Sequence, residues 1–203
     1  MNILSIDVSG NYSSISLACG DEINSFIQTH ERKDRPDWDI LFSRIGFDSK
    51  VDFHNLDALA FARGPGSYTA LRITASFLKA IAVAKQLPLI AVSNLDSLAH
   101  EAGHWIDDEK AQILVTIEAD SKESYFCRYE KNKDEIIVLN EESVVSMDNL
   151  LELSNQSNVY FVGTGWPDSV LTHPNYLQKA VGGSESVAII AKQKFNKGGT
   201  FNP

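Results

Sequence analysis

The chain has 203 residues, 43% hydrophobic and 22% charged, with 27 acidic against 18 basic residues for a net charge of −9. That length can bury a substantial core, in one large domain or in two lobes. The excess negative charge repels phosphate backbones and anionic lipid, so contact with nucleic acid is expected to be local or made by a partner.

The first residues, MNILSIDVSG, place an Asp inside an apolar run and lack a basic start, which does not suit a signal peptide. No apolar run approaches the roughly 20 residues of a membrane span. Cys19 and Cys127 lie far apart without paired spacing, which suits reduced thiols. A soluble, cytoplasmic protein without a membrane role is expected.

In chain order, Ile3–Val8 is a short apolar run closed by Ser9-Gly10-Asn11, and Ser13–Cys19 alternates. Gly20-Asp21 turns into a third strand over Ile23–Thr29, giving an antiparallel meander. Helical spacing of Trp38, Leu41, Phe42 and Ile45 predicts a helix from about Asp37. A buried strand is predicted at Ala58–Ala62, a long helix at Thr69–Lys85, a strand at Leu89–Val92, and a helix capped by Ser93-Asn94. From about residue 111 the order begins again. Strands are predicted at Ile113–Ala119, Glu123–Tyr129 and Glu135–Leu139, a helix capped by Ser146, a strand at Val159–Val162, and a last helix holding Val187, Ile189, Ile190 and Phe195. This order predicts an N-terminal lobe over 1–106 and a reduced second lobe over 107–203.

His100-Glu101-Ala102-Gly103-His104 matches the H-E-x-x-H pattern of zinc peptidases. On a helical wheel Leu95, Leu98, Ala99, Ala102 and Trp105 share one stripe, while His100 and His104 fall nearly opposite, facing water or a neighbouring chain. A catalytic zinc needs a third ligand, for which Glu118 and Glu123 are available, and a dry cavity. Gly103 weakens the metal-binding turn. The pattern reads as a solvated helix face, and no metal is expected.

Residues 61–72, FARGPGSYTALR, form the most specific stretch. Gly64 and Gly66 allow unusual backbone angles, Pro65 stiffens the loop, and Ser67 and Thr69 can cap the following helix. Such a loop is either an anion site or a tight turn that aims the helix, and the residues leave both open. It lacks the Lys of a Walker loop, and there is no G-x-G-x-x-G. The helix after it is apolar on nearly every side, interrupted by Arg72, Thr74, Ser76 and Lys79, which predicts burial on more than one side.

These blocks resemble the bacterial TsaB family, also called YeaZ. The resemblance rests on ILSIDVS at Ile3–Ser9, on Ala62–Ile73, on LPLIAVSNLDSLA at Leu87–Ala99, and on VGTGW at Val162–Trp166. It implies an α/β actin-like ATPase fold (ASKHA, ribonuclease H-like), with two lobes of β-β-β-α-β-α order and the second shortened. It also implies a non-catalytic subunit in making threonylcarbamoyladenosine beside the tRNA anticodon. The implied partners are a TsaD-type transferase and a TsaE-type ATPase, with tRNA met only through the complex and no cofactor; the apolar patch on the long helix, left without its partner, predicts a homodimer in isolation. TsaD-like proteins carry a metal-binding His-x-x-x-His directly after the strand matching Leu89–Val92. Here those positions are Asn94 and Leu98, and His100 and His104 are out of register. Val8 stands where active relatives carry a hydroxyl after the Asp, so Asp7 and Ser9 read as a degenerate nucleotide loop. The expected docking surface joins Trp38 and Leu41 to Leu71, Arg72, Ala75, Leu78, Lys79 and Ala82. The rival readings are a small-molecule phosphotransferase of the same fold and the zinc peptidase.

Overall fold

The computed structural model describes residues 1–29, 37–47, 52–156 and 158–198. Strands β1 (Asn2–Asp7), β2 (Tyr12–Cys19) and β3 (Glu22–Thr29) form the expected antiparallel meander. Helix α1 (Trp38–Arg44) is capped by Asp37, whose carboxylate accepts from the Ile40 N–H at 3.1 Å. A single 3-10 turn at Asp52–Asn55 leads to β4 (Ala58–Ala62), α2 (Tyr68–Lys85), β5 (Leu89–Val92) and α3 (Asn94–Gly103). Then come β6 (Lys110–Glu118), β7 (Glu123–Asn132), β8 (Glu135–Val138) and β9 (Ser143–Ser146). The chain continues with α4 (Met147–Leu153), β10 (Val159–Gly163), α5 (Asp168–Leu171) and α6 (Ser184–Asn196).

The chain divides into two compact units, one of residues 1–97 with 183–203 and one of 98–182. The sequence places the boundary at 106/107 and α6 in the second lobe, whereas α6 packs on the sheet of the first unit. Element order along a chain does not say which sheet a helix returns to.

In the first unit the sheet order is β3-β2-β1-β4-β5, with β1, β4 and β5 parallel. The two-residue period of a strand sorts its side chains. Leu4, Ile6, Ile15 and Leu59 face a core shared with Leu41, Phe42, Leu78 and Ala82 of α1 and α2. Ile3, Ala58, Ala60, Ala62, Ile90 and Val92 face Val187, Ala188 and Ala191 of α6. Alanines at all three inward positions of β4 let that helix sit close. Trp38 stacks on Phe77 with ring centroids 4.6 Å apart, joining α1 to α2.

In the second unit the order is β10-β6-β7-β8, with β9 also paired to β7. Leu114, Phe126, Leu150, Val159, Phe161, Trp166 and Val170 form its core on the side of α4 and α5. Strand β9 and the short α5 are additions to the elements read from sequence. Among the described residues no helix is long and apolar enough to cross a membrane.

Candidate functional site

Two features of the first unit carry the residues singled out by sequence. The first is a polar knot where the β1–β2 turn meets the glycine loop. Asp7 is buried at the end of β1, and its Oδ1 accepts from the Ser9 N–H at 2.9 Å and the Ser9 hydroxyl at 2.6 Å. Tyr12 donates its hydroxyl to Oδ2 at 3.3 Å. Burial pushes the Asp7 carboxyl above the ordinary carboxylate range, only partly offset by these donors. Asn94, at the start of α3, donates to Ser9 Oγ at 2.5 Å and accepts from the Gly64 N–H at 2.7 Å. The Ser67 N–H donates to the Ser9 carbonyl at 2.9 Å.

Gly64 has φ +105°, and a Cβ on Gly66 would lie 2.8 Å from Ser9 Cβ, so a side chain there would force the two turns apart. The N–H groups of Gly64 and Ser67 are thus spent within the unit, which favours the turn reading of this loop over an anion site. Pro65 is half-buried, and Ser67 and Thr69 are exposed, with no side-chain cap from Ser67. Val8 points into the core. Asn94 and Leu98, where the resemblance sets the metal-binding histidines of TsaD-like proteins, are both buried, Asn94 within the knot.

Sequence reading passed over a set of serines on the α6 side of the same sheet. Ser184 N–H donates to Ser14 Oγ at 3.0 Å, the Ser184 and Ser16 hydroxyls lie 2.7 Å apart, and Ser5 donates to the Ser184 carbonyl at 2.7 Å. Gly183 N–H donates to Ser97 Oγ at 3.1 Å. The alternation of Ser14 and Ser16 with buried Ile15 was the available signal, since a hydroxyl at a core-facing strand position needs a partner.

The second feature is the outer face of α2. Leu78 and Ala82 have 0% exposure and Leu41 has 1%, all three within the core of the first unit. They are therefore removed from the docking surface expected from sequence, because a helix apolar all round does not reveal which side its own sheet takes. Trp38, Leu71 and Ala75 are half-buried, while Arg72 and Lys79 are exposed. The side that faces outward carries Thr69, Arg72, Ile73, Ser76, Ala80 and Val83, with Tyr68 at its start. Tyr68 is 72% exposed and Val83 57%. Arg72 lies over the Tyr68 ring, 5.3 Å from its centroid.

The histidines belong to the second unit. Helix α3 stops at Gly103, so Trp105 leaves the apolar stripe and is exposed, with the Lys179 ammonium 5.3 Å from its ring centroid. His100 is half-buried rather than water-facing, edge-on to His104 with centroids 5.1 Å apart. Burial, then the charge of His104, lowers its pKa to about 4. The Glu101 carboxylate accepts from the N–H groups of Val181, at 2.9 Å, and Gly182, so it ties down a loop. Among the described residues no group of three or more His, Cys, Asp or Glu is placed to hold a metal ion. Glu118 and Glu123 sit exposed at the ends of β6 and β7.

The family model described as TsaD, tRNA N6-adenosine threonylcarbamoyltransferase, matches residues 40–169. The TsaB protein of tRNA threonylcarbamoyladenosine biosynthesis from Haemophilus influenzae is 29% identical over 200 residues, covering 91% of this chain and 79% of that one. The Escherichia coli protein of the same name is 29% identical over 169 residues, covering 82% and 72%. The structure of YeaZ from Pseudomonas aeruginosa superposes with a TM-score of 0.77 at 24% identity, covering 98% of this chain and 95% of that one. The chain belongs to the family that model describes and, within it, to the TsaB (YeaZ) proteins of tRNA threonylcarbamoyladenosine biosynthesis, with their actin-like fold.

Proposed function

We propose that the chain is a non-catalytic subunit that docks on a TsaD-type transferase through the outer face of α2, with α1 beside it. The observation that carries this reading is the outward apolar stripe on an 18-residue helix. Ile73, Ala80 and Val83 are exposed there, with small Ser76 at the centre, where a partner helix can approach closely. Apolar residues gathered on one exposed helix face are the kind of surface that marks a protein contact. The Asp7 carboxylate supports the non-catalytic part of the reading, since both its oxygens accept hydrogen bonds from Ser9 and Tyr12.

The docked pair helps to recruit a TsaE-type ATPase and meets tRNA through the complex as a whole. In isolation, the same face supports a weaker homodimer, and the complex works in the cytoplasm. Reconstitution tests this. Threonylcarbamoyladenosine formation on tRNA by the transferase and ATPase subunits is expected to require the chain, and Asp7→Asn is expected to leave its contribution intact. Full activity without the chain refutes the reading.

A further inference from the structure

Between Asp57 and Asp96 the chain holds no Asp or Glu, yet it carries Arg63, Arg72, Lys79 and Lys85, in a protein whose net charge is −9. The exposed cations of α2 are not scattered. At about 100° per residue, Arg72 and Lys79 lie about 40° and 60° to one side of Ser76, with Tyr68 beyond them. Ile73 and Ala80 lie about 60° and 40° to the other side, and Phe77, which stacks on Trp38 of α1, lies beyond those. The face therefore has a basic flank and an apolar flank, with Ser76 and Val83 between. The ion pairs among the described residues join Lys110 to Glu130, Lys192 to Asp21 and Lys194 to Asp96, and none reaches Arg72 or Lys79. Arg72 is engaged by Tyr68, through the ring and through its hydroxyl at 3.4 Å.

We propose that this flank selects a partner presenting carboxylates along Tyr68–Arg72–Lys79, and so favours an acidic-flanked partner over a second copy of the chain. The inference rests on the docking reading above. An antiparallel self-contact has its two-fold axis perpendicular to α2, which keeps each flank on its own side and reverses the helix ends. Arg72 then faces Lys79 of the second copy. Like charges brought together at an interface repel and act against the wrong partner. Asp37 and Asp39 of α1 do not relieve this, because α1 sits beyond the apolar flank. A parallel self-contact lays the basic flank over the Ile73–Ala80 flank, with Asp37 and Asp39 as the carboxylates a second copy can offer. A partner with acids on its docking face pairs both cations in either direction.

Two arms of one experiment separate the claims. Affinity for the TsaD-type subunit is measured by calorimetry, and self-association by light scattering, each at low and high NaCl. Both are done for wild type and for the double variant Arg72→Glu/Lys79→Glu, with circular dichroism confirming the fold of these exposed substitutions. Wild type is expected to lose about tenfold or more in partner affinity as salt rises, while its self-association strengthens, because screening weakens attraction and repulsion alike. The double variant is expected to bind the partner about tenfold or more weakly at low salt. Partner binding that ignores both salt and charge reversal overturns charge selection but leaves the docking reading standing. Self-association that weakens with salt, as partner binding does, also overturns the selection. Wild type that binds no transferase at either salt overturns the docking reading itself.

Discussion

Asn94 and Ser9, 85 residues apart, are joined by a 2.5 Å hydrogen bond from the Asn94 amide to the Ser9 hydroxyl. The Asn94 carbonyl oxygen also accepts from the Gly64 N–H, and the Ser9 hydroxyl in turn donates to Asp7 Oδ1. Three turns of the first unit are thereby locked around one side chain. Asn94→Ala leaves a buried N–H and a buried hydroxyl short of partners, at about 1–3 kcal/mol each. Equilibrium denaturation is expected to show a loss of about 2–4 kcal/mol. A loss under about 0.5 kcal/mol, the scale of an ordinary surface change, contradicts the keystone role.

The buried Asp7 gives a pH signature. Its folded carboxyl is raised, so the folded state holds that proton more tightly than the unfolded chain. The stability linked to it is present at low pH and is lost as pH rises through the folded value. Asp7→Asn removes this titration and can keep the Ser9 contacts through the amide oxygen. The variant is therefore expected to gain relative to wild type as pH rises from the unfolded carboxylate range. Denaturation at a series of pH values checks it, and a difference that is flat or of opposite slope refutes it.

His100 acts in the opposite direction. Its pKa falls from 6.5 to about 4, because burial and the His104 charge oppose protonation. A depressed value means stability is full above about pH 6.5 and declines as pH falls towards 4. The shift corresponds to about 3 kcal/mol across that window. His100→Gln is expected to remove that decline and to leave stability near pH 8 within about 1 kcal/mol of wild type. Parallel acid slopes for the two proteins rule it out.

Much of the fold is legible in the residues. Ala58–Ala62 and Leu89–Val92 are continuous apolar runs ended by Gly or by a cap, and the structure has strands at those residues. Asp37 and Ser146 announce their helices, because a capping side chain sits next to the pattern it starts. Strand β9 is invisible because Ser143–Ser146 is short and pairs directly with the first half of β7, with β8 lying between them in the chain. The home of α6 is set by alanines on β4 and serines on β2, a fit between surfaces distant in sequence. On α2 the pattern itself misleads. Leu78 is larger and more apolar than Ser76, yet it belongs to the core while Ser76 sits at the centre of the outward face.

That distinction gives the most direct measurement of the docking claim, a comparison of Leu78→Asp with Val83→Asp. Leu78 is wholly buried, so a carboxylate there destabilises the first unit by about 4 kcal/mol or more, and loss of folding is expected. Val83 is 57% exposed, so Val83→Asp is expected to fold with a stability within about 1 kcal/mol of wild type. In the docked state the same Asp has to be desolvated at the contact and competes for Lys79, one turn before it, with the carboxylates of the partner, so docking is weakened by about 3 kcal/mol or more. Light scattering combined with capture of the TsaD-type subunit reads the outcome. Folded Val83→Asp is expected to be monomeric and to bind the transferase about 100-fold or more weakly than wild type. A folded Val83→Asp that captures the transferase and self-associates as wild type does contradicts the docking claim.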